Sequence, residues 1–122
     1  MIPNKVEQIL LGSLLGDGSL IKQYKCKNVY FVEIHSIKQN NYLLWKWEAL
    51  KKSLILKKRF FSLNQSINGY PKNIYKCVCL RSLVNPILNK YHFLFYPNGK
   101  KVVTREILDK LEPLGIAVWY CD

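Results

Sequence analysis

Residues 5–16, KVEQILLGSLLG, constrain this chain more than any other segment. Val6, Ile9, Leu10 and Leu14, with Leu11 or Leu15, recur at helical spacing. Gly12 and Gly16 interrupt the run, although each glycine costs about 1 kcal/mol relative to alanine inside a helix. At i, i+4 they share one face and leave a flat strip where another backbone can approach closely. A plain alternative makes Gly16 a C-cap and Gly12 a weak spot; the two together favour a tight helix–helix contact. Asp17-Gly18-Ser19 follows at once. Asp-Gly is a turn signal, but a carboxylate there faces the negative end of the helix dipole. An acid placed against its electrostatic preference is a candidate metal ligand.

The rest of the chain alternates between two periods. Strands are expected over about 19–25 and 28–36, joined by a short basic link. In the second, Tyr30, Val32 and Ile34 alternate with Phe31, Glu33 and His35, so one face can pack on helices while the other stays mixed and polar. Leu43, Trp47, Leu50 and Leu54 form a helical stripe over 40–56, with Lys46, Lys51 and Lys52 elsewhere on the surface. A second strand pair fits 57–66 and 72–82, around a turn at Asn68-Gly69-Tyr70-Pro71. Asn85-Pro86 opens a helix to about Phe95, Thr104 caps a short one through Leu111, and Pro113 starts a last one over 113–122. The fold class is α+β: a four-stranded antiparallel sheet with helices on one face and the other face open.

The charge is placed unevenly along that plan. The chain has 19 Lys+Arg against 8 Asp+Glu, for a net +11. Residues 18–105 hold 17 of the basic residues and only two acids, Glu33 and Glu48. A basic middle with net acidic ends suggests phosphate contact in the strands and another task for the terminal helices. The length of 122 residues suits one domain on a prior of roughly 150 residues each. No apolar run approaches the roughly 18 residues of a membrane span, so no membrane partner is expected. Met1-Ile2-Pro3-Asn4 starts neither a signal nor a transit peptide. Cys26, Cys77, Cys79 and Cys121 show no CxxC pair and no histidine at zinc spacing.

Leu10-Leu11-Gly12-Ser13-Leu14-Leu15-Gly16-Asp17-Gly18 resembles the motif that names the LAGLIDADG homing endonucleases. The order of elements is similar to the αββαββα fold of that family. Tyr96-Pro97-Asn98-Gly99-Lys100-Lys101, followed by Leu114-Gly115-Ile116-Ala117-Val118-Trp119-Tyr120-Cys121-Asp122, resembles the segment leading into the second motif of two-motif members. The resemblance implies motif helices packed through small residues (here Gly12, Ser13, Gly16 and Ala117). It implies Mg²⁺ or another divalent cation held by Asp17 and the carbonyl of Gly16, activating water for phosphodiester hydrolysis. Asp122, Lys100 and Lys101 join Asp17 as catalytic-site candidates. The second motif supplies only the first of its two acids, so Asp122 stands beside the catalytic position. Residues 1–112 then form one domain, and 113–122 begin a second motif helix.

The resemblance makes double-stranded DNA the expected partner. Contacts are expected from Lys22, Gln23, Lys25, Lys27, Asn28, Glu33, His35, Lys58, Arg59, Asn64, Lys72, Lys76 and Arg81. Arg59 and Arg81 suit guanine, and Gln23 or Asn64 suits adenine. Cleavage is expected only with a second copy or a complementary half-enzyme chain. An intron RNA-binding maturase and a non-cleaving nucleic-acid-binding remnant are the alternative readings.

Overall fold

The computed structural model describes residues 2–65 and 73–122, leaving aside the side chains of Lys58 and of residues 60–65 and 73–75. The expected turn at 68–71 lies outside the described residues. Helix α1 (Asn4–Leu15) leads into β1 (Gly18–Lys22) and β2 (Val29–Ser36). After a 3₁₀ turn come α2 (Asn40–Leu50), β3 (Leu56–Gln65) and β4 (Asn73–Ser82). A second 3₁₀ turn precedes α3 (Asn89–Phe95), α4 (Arg105–Asp109) and α5 (Pro113–Cys121). Among the described residues no helix is long and apolar enough to cross a membrane.

All pairings in the sheet are antiparallel, in the order β1-β2-β4-β3. Val29, Phe31, Glu33 and His35 of β2 are buried, together with Leu20, Val78, Leu80 and Leu56 from neighbouring strands. Because side chains alternate along a strand, the opposite face carries Ile21, Tyr30, Val32, Ile34, Cys79, Arg81, Lys57 and Arg59. Ile34 on that face is 48% exposed. The more apolar-looking face of β2 is therefore the open one. The mixed face turns inward because Glu33 and His35 find charged partners there, described below.

Helix α1 is buried nearly all round: Ile9, Leu10, Leu11 and Leu14 are inaccessible. A helix apolar on every side belongs at the centre of a core. Its glycine strip receives α5. A Cβ on Gly12 would strike the carbonyl of Gly115 and the Val118 side chain, and one on Gly16 would strike Asp122. Gln8 fixes the start of this contact, donating to Lys110 O at 2.9 Å and accepting from the Glu112 N–H at 2.8 Å. Gln8, Gly12 and Gly16 thus meet α5 in ascending order, so the two helices run parallel and their C-terminal ends lie side by side.

Candidate functional site

The site forms where α1 and α5 end. Gly16 closes α1, its N–H reaching Gly12 O and Ser13 O at 3.1 Å. The Asp17 side chain beyond it is 52% exposed. Its sole near neighbour among the described side chains with an ion-pair contact is His35, whose Nδ1 lies 3.6 Å from Oδ2. Lys101 arrives from the segment between α3 and α4. That segment is held by the Val102 N–H on Phe95 O at 2.8 Å, and by a turn in which Gly99 takes a φ of +79°, a value that glycine adopts without cost. The Lys101 ammonium donates to Gly18 O at 2.5 Å and reaches Gly16 O at 3.4 Å. Burial lowers its pKa, opposed by the charges of Asp17, Glu33 and Asp122. Lys100 is exposed.

Asp122 has a different setting. Its side chain is fully buried. Oδ1 accepts from Lys46 Nζ at 2.9 Å and from the Tyr42 hydroxyl at 2.7 Å. Oδ2 accepts from the Asp17 N–H at 3.3 Å. Lys46 Nζ also donates to Glu33 Oε2 at 2.7 Å, and His35 Nε2 meets the same oxygen at 2.9 Å. His35 Nδ1 lies 2.7 Å from Gln39 Oε1. Burial is the largest influence on the His35 pKa and lowers it. The bond and charge of Glu33, with Gln39 and Asp122, outweigh burial, so the net shift is upward. Burial and the bond to Asp122 together push the Tyr42 hydroxyl far up.

These positions revise several expectations. Lys46, expected on the surface, is inaccessible. Glu33 and His35, expected to contact DNA, are 1% and 5% exposed and belong to the buried ionic cluster instead. Asp122, expected beside the catalytic centre, has both carboxylate oxygens engaged. Ala117 is exposed; the α5 residues against Gly12 are Gly115 and Val118. Ser13 is buried, but its hydroxyl donates to Ile9 O within its own helix. Lys46 was legible after all, since Leu43, Lys46 and Leu50 are spaced i, i+3, i+7 on one helix face. Nothing local marks Tyr42 as the partner of a residue 80 positions away.

The remaining candidates divide between two surfaces. Arg59 and Arg81 stand on the open sheet face, with Arg81 over the Tyr30 ring at 4.3 Å. Both lie near Cys79, whose thiol burial pushes up and whose two arginine neighbours pull down. Gln23, Lys25 and Lys27 are exposed in the β1–β2 link, where Lys25 has a φ of +64°. Asn28 is half-buried and accepts from Asn89 at 3.0 Å. Lys22 and Lys76 are exposed but fall on the helix-side alternation. The side chains of Lys58 and Asn64, and Lys72 altogether, lie outside the described residues.

The donors at the end of α1 suit a hard cation. Asp17 offers a half-exposed carboxylate and Gly16 a backbone carbonyl, oxygen ligands of the kind magnesium, calcium or manganese takes. Glu33, His35 and Asp122 also bring ligand atoms within 4.8 Å of one another. There the Lys46 ammonium already supplies the positive charge. One acid and one carbonyl are only part of a coordination shell.

Residues 7–122 match the model of the LAGLIDADG DNA endonuclease family. The chain belongs to that family. A RecA protein of Mycolicibacterium flavescens is 31% identical to this LAGLIDADG chain over 116 residues, covering 94% of the chain and 25% of the relative. A cytochrome b mRNA maturase, bI2, of Debaryomyces hansenii is 29% identical over 115 residues, covering 94% and 44%. The homing endonuclease I-WcaI, solved bound to its DNA recognition sequence, superposes with a TM-score of 0.85 at 17% identity. That alignment covers the whole of this chain and 52% of that one. The LAGLIDADG chain therefore spans between about a sixth and about half of the length of the proteins it matches, and the solved structure shares its fold.

Proposed function

We propose that this chain is one half of a metal-dependent DNA endonuclease, binding duplex DNA on its open basic sheet face and cutting when a second half supplies another acid. The observation that carries this reading is Asp17, an acid left half-exposed at the end of a buried helix, beside the Gly16 carbonyl and Lys101. Asp17 and Gly16 would hold the divalent cation, which when bound activates water and stabilises the leaving oxygen of a phosphodiester. Lys101 is held by Gly16 O and Gly18 O and adds positive charge beside that centre. Arg59 and Arg81 read bases or phosphates from the sheet, and the lysines of the β1–β2 link meet the backbone.

The second acid does not come from Asp122, because Lys46, Tyr42 and the Asp17 N–H occupy its oxygens. Nor does a two-fold pairing through Gly12 and Gly16 fit, because α5 already covers that strip. A complementary half packed on the outer side of α5 fits better. Ile116, Trp119 and Tyr120 are 52%, 38% and 90% exposed there. An enzyme assembled with such a half should lose metal-dependent cutting on Asp17→Asn while keeping DNA affinity. Continued cutting by that variant would remove Asp17 from the metal site. The likeness to a maturase favours a second reading, intron RNA binding. That reading requires tighter binding to a structured intron than to any duplex.

A further inference from the structure

On the helix side of the sheet edge, the β1–β2 link and α3 enclose a cavity of about 460 Å³. This lies within the roughly 300–1,000 Å³ span of small-ligand sites. Lys22, Lys27, Val29, His92, Phe93 and Tyr96 line it. Lys22 pairs in register with Val29, and Val29 is 1% exposed on the buried face. The cavity is therefore on the opposite side of the sheet from Tyr30, Val32, Arg59 and Arg81. A duplex lying on the open face would leave it free.

Its walls combine flat aromatic surface with a cationic rim. The His92 and Tyr96 rings stack at 5.2 Å with an interplanar angle of 14°. Phe93 is 77% exposed, although it is a large apolar side chain at a pocket mouth. Burial, and then the charge of Lys22, hold His92 below its usual pKa, so near neutrality it presents an uncharged ring. Lys22 and Lys27 are exposed at the rim. Asn89, at the wall, gives its Nδ2 to Asn28 Oδ1 at 3.0 Å. Its own Oδ1 is buried, with no hydrogen-bond partner among the described residues. Aromatic faces beside lysines are the chemistry that holds unpaired nucleotides, with bases stacking and phosphates meeting ammonium groups. Bases inside a duplex are already stacked and cannot enter.

We infer that this cavity binds an unpaired nucleotide of a single-stranded nucleic acid, at a second site separate from the duplex-binding face. The strand is either RNA or a displaced DNA strand. The site does not depend on Asp17 or on cutting.

The test uses the full chain and short labelled single strands of matched sequence, as RNA and as DNA, read by fluorescence anisotropy with and without saturating unlabelled duplex. Single-strand binding should persist beside the duplex. Phe93→Ala should weaken it roughly tenfold, Phe93→Trp should restore it, and neither should change duplex binding. Because Phe93 is mostly exposed, both variants should fold, which circular dichroism checks. Photo-crosslinks from thiouridine-substituted strands should fall on α3 or the β1–β2 link. Tighter binding of RNA identifies the strand as RNA, tighter binding of DNA as a displaced strand, and either supports the site. Full displacement by duplex, an unaffected Phe93→Ala variant, or crosslinks confined to the open sheet face would each overturn it. Duplex affinity is read separately, so loss of this site and loss of the endonuclease reading are distinguishable.

Discussion

The ends of α1 and α5 lie side by side, yet their acids have opposite surroundings. The Asp17 carboxylate is half-exposed and, among the described ion pairs, meets only His35, at 3.6 Å. Asp122 is fully buried, with Lys46, Tyr42 and the Asp17 N–H on its two oxygens. Both acids sit where the helix dipole disfavours negative charge. Asp122 is compensated by the buried Lys46 ammonium, whereas Asp17 has the contact with His35 and the nearby charge of Lys101. On the proposed function, the acid whose oxygens are already occupied is structural and the half-exposed one is the metal ligand. The same contrast explains why the three-residue cluster around Asp122 gathers ligand atoms but is a poor cation site: its cation is Lys46.

The largest way to break the comparison is to remove that cation. Lys46→Met takes the shared ammonium from two buried acids, leaving Glu33 with His35 and Asp122 with only the neutral donors of Tyr42 and the Asp17 N–H, and loss of one partner from a buried ion pair costs about 3–5 kcal/mol. Chemical denaturation should show a fall of that size. A fall below about 1 kcal/mol would mean that water reaches the cluster and that the two acids are less different than their burial implies. Asp122→Asn keeps the shape and removes one charge. Hydrogen bonds to charged groups contribute about 1.5–3 kcal/mol, and the loss should lie in that range. In the Lys46→Met background the same change should cost much less, because the two residues act as a pair.

A smaller step is Tyr42→Phe. It deletes the 2.7 Å hydroxyl bond to Asp122 without adding volume, and should lower stability by about 1 kcal/mol. Combined with Asp122→Asn, it measures whether the tyrosine acts on Asp122 alone. Additive losses would show that its hydroxyl is served equally well by another acceptor, such as Val118 O at 3.3 Å.

How far this arrangement could be read from the sequence follows from the range of each interaction. The glycine strip of α1 and the acid after it are local patterns, and both the helix and its close packing follow from residues 5–17. The αββαββα order was legible from period changes. Helix α2 ends at Leu50, short of the expected 56, because residues 51–54 form a turn. The inward face of β2 was not legible. Hydrophobicity favours Tyr30, Val32 and Ile34 as the buried set, and only the arrival of Lys46 and Asp122 makes Glu33 and His35 comfortable inside. Those partners lie 13 and 89 positions from Glu33 along the chain, and no period connects them. In the same way Gly12 announced a close neighbour without naming Gly115.

The smallest expected effect is on Asp17 itself. Neutralising an exposed acid at a helix C-terminus removes an unfavourable dipole interaction, worth about 0.3–1 kcal/mol at most. It also removes a loose contact with His35, and ion pairs with an exposed member contribute little. The two losses have opposite signs, so Asp17→Asn should shift stability by no more than about 0.5 kcal/mol. Thermal unfolding with and without magnesium or calcium then separates structure from ligation. A bound cation stabilises the folded state by mass action, so any cation-dependent rise in Tm should vanish in Asp17→Asn and persist in Tyr42→Phe. If Asp17→Asn instead destabilised the protein as much as Asp122→Asn, both acids would be structural. The contrast between the two helix ends would then carry no information about metal.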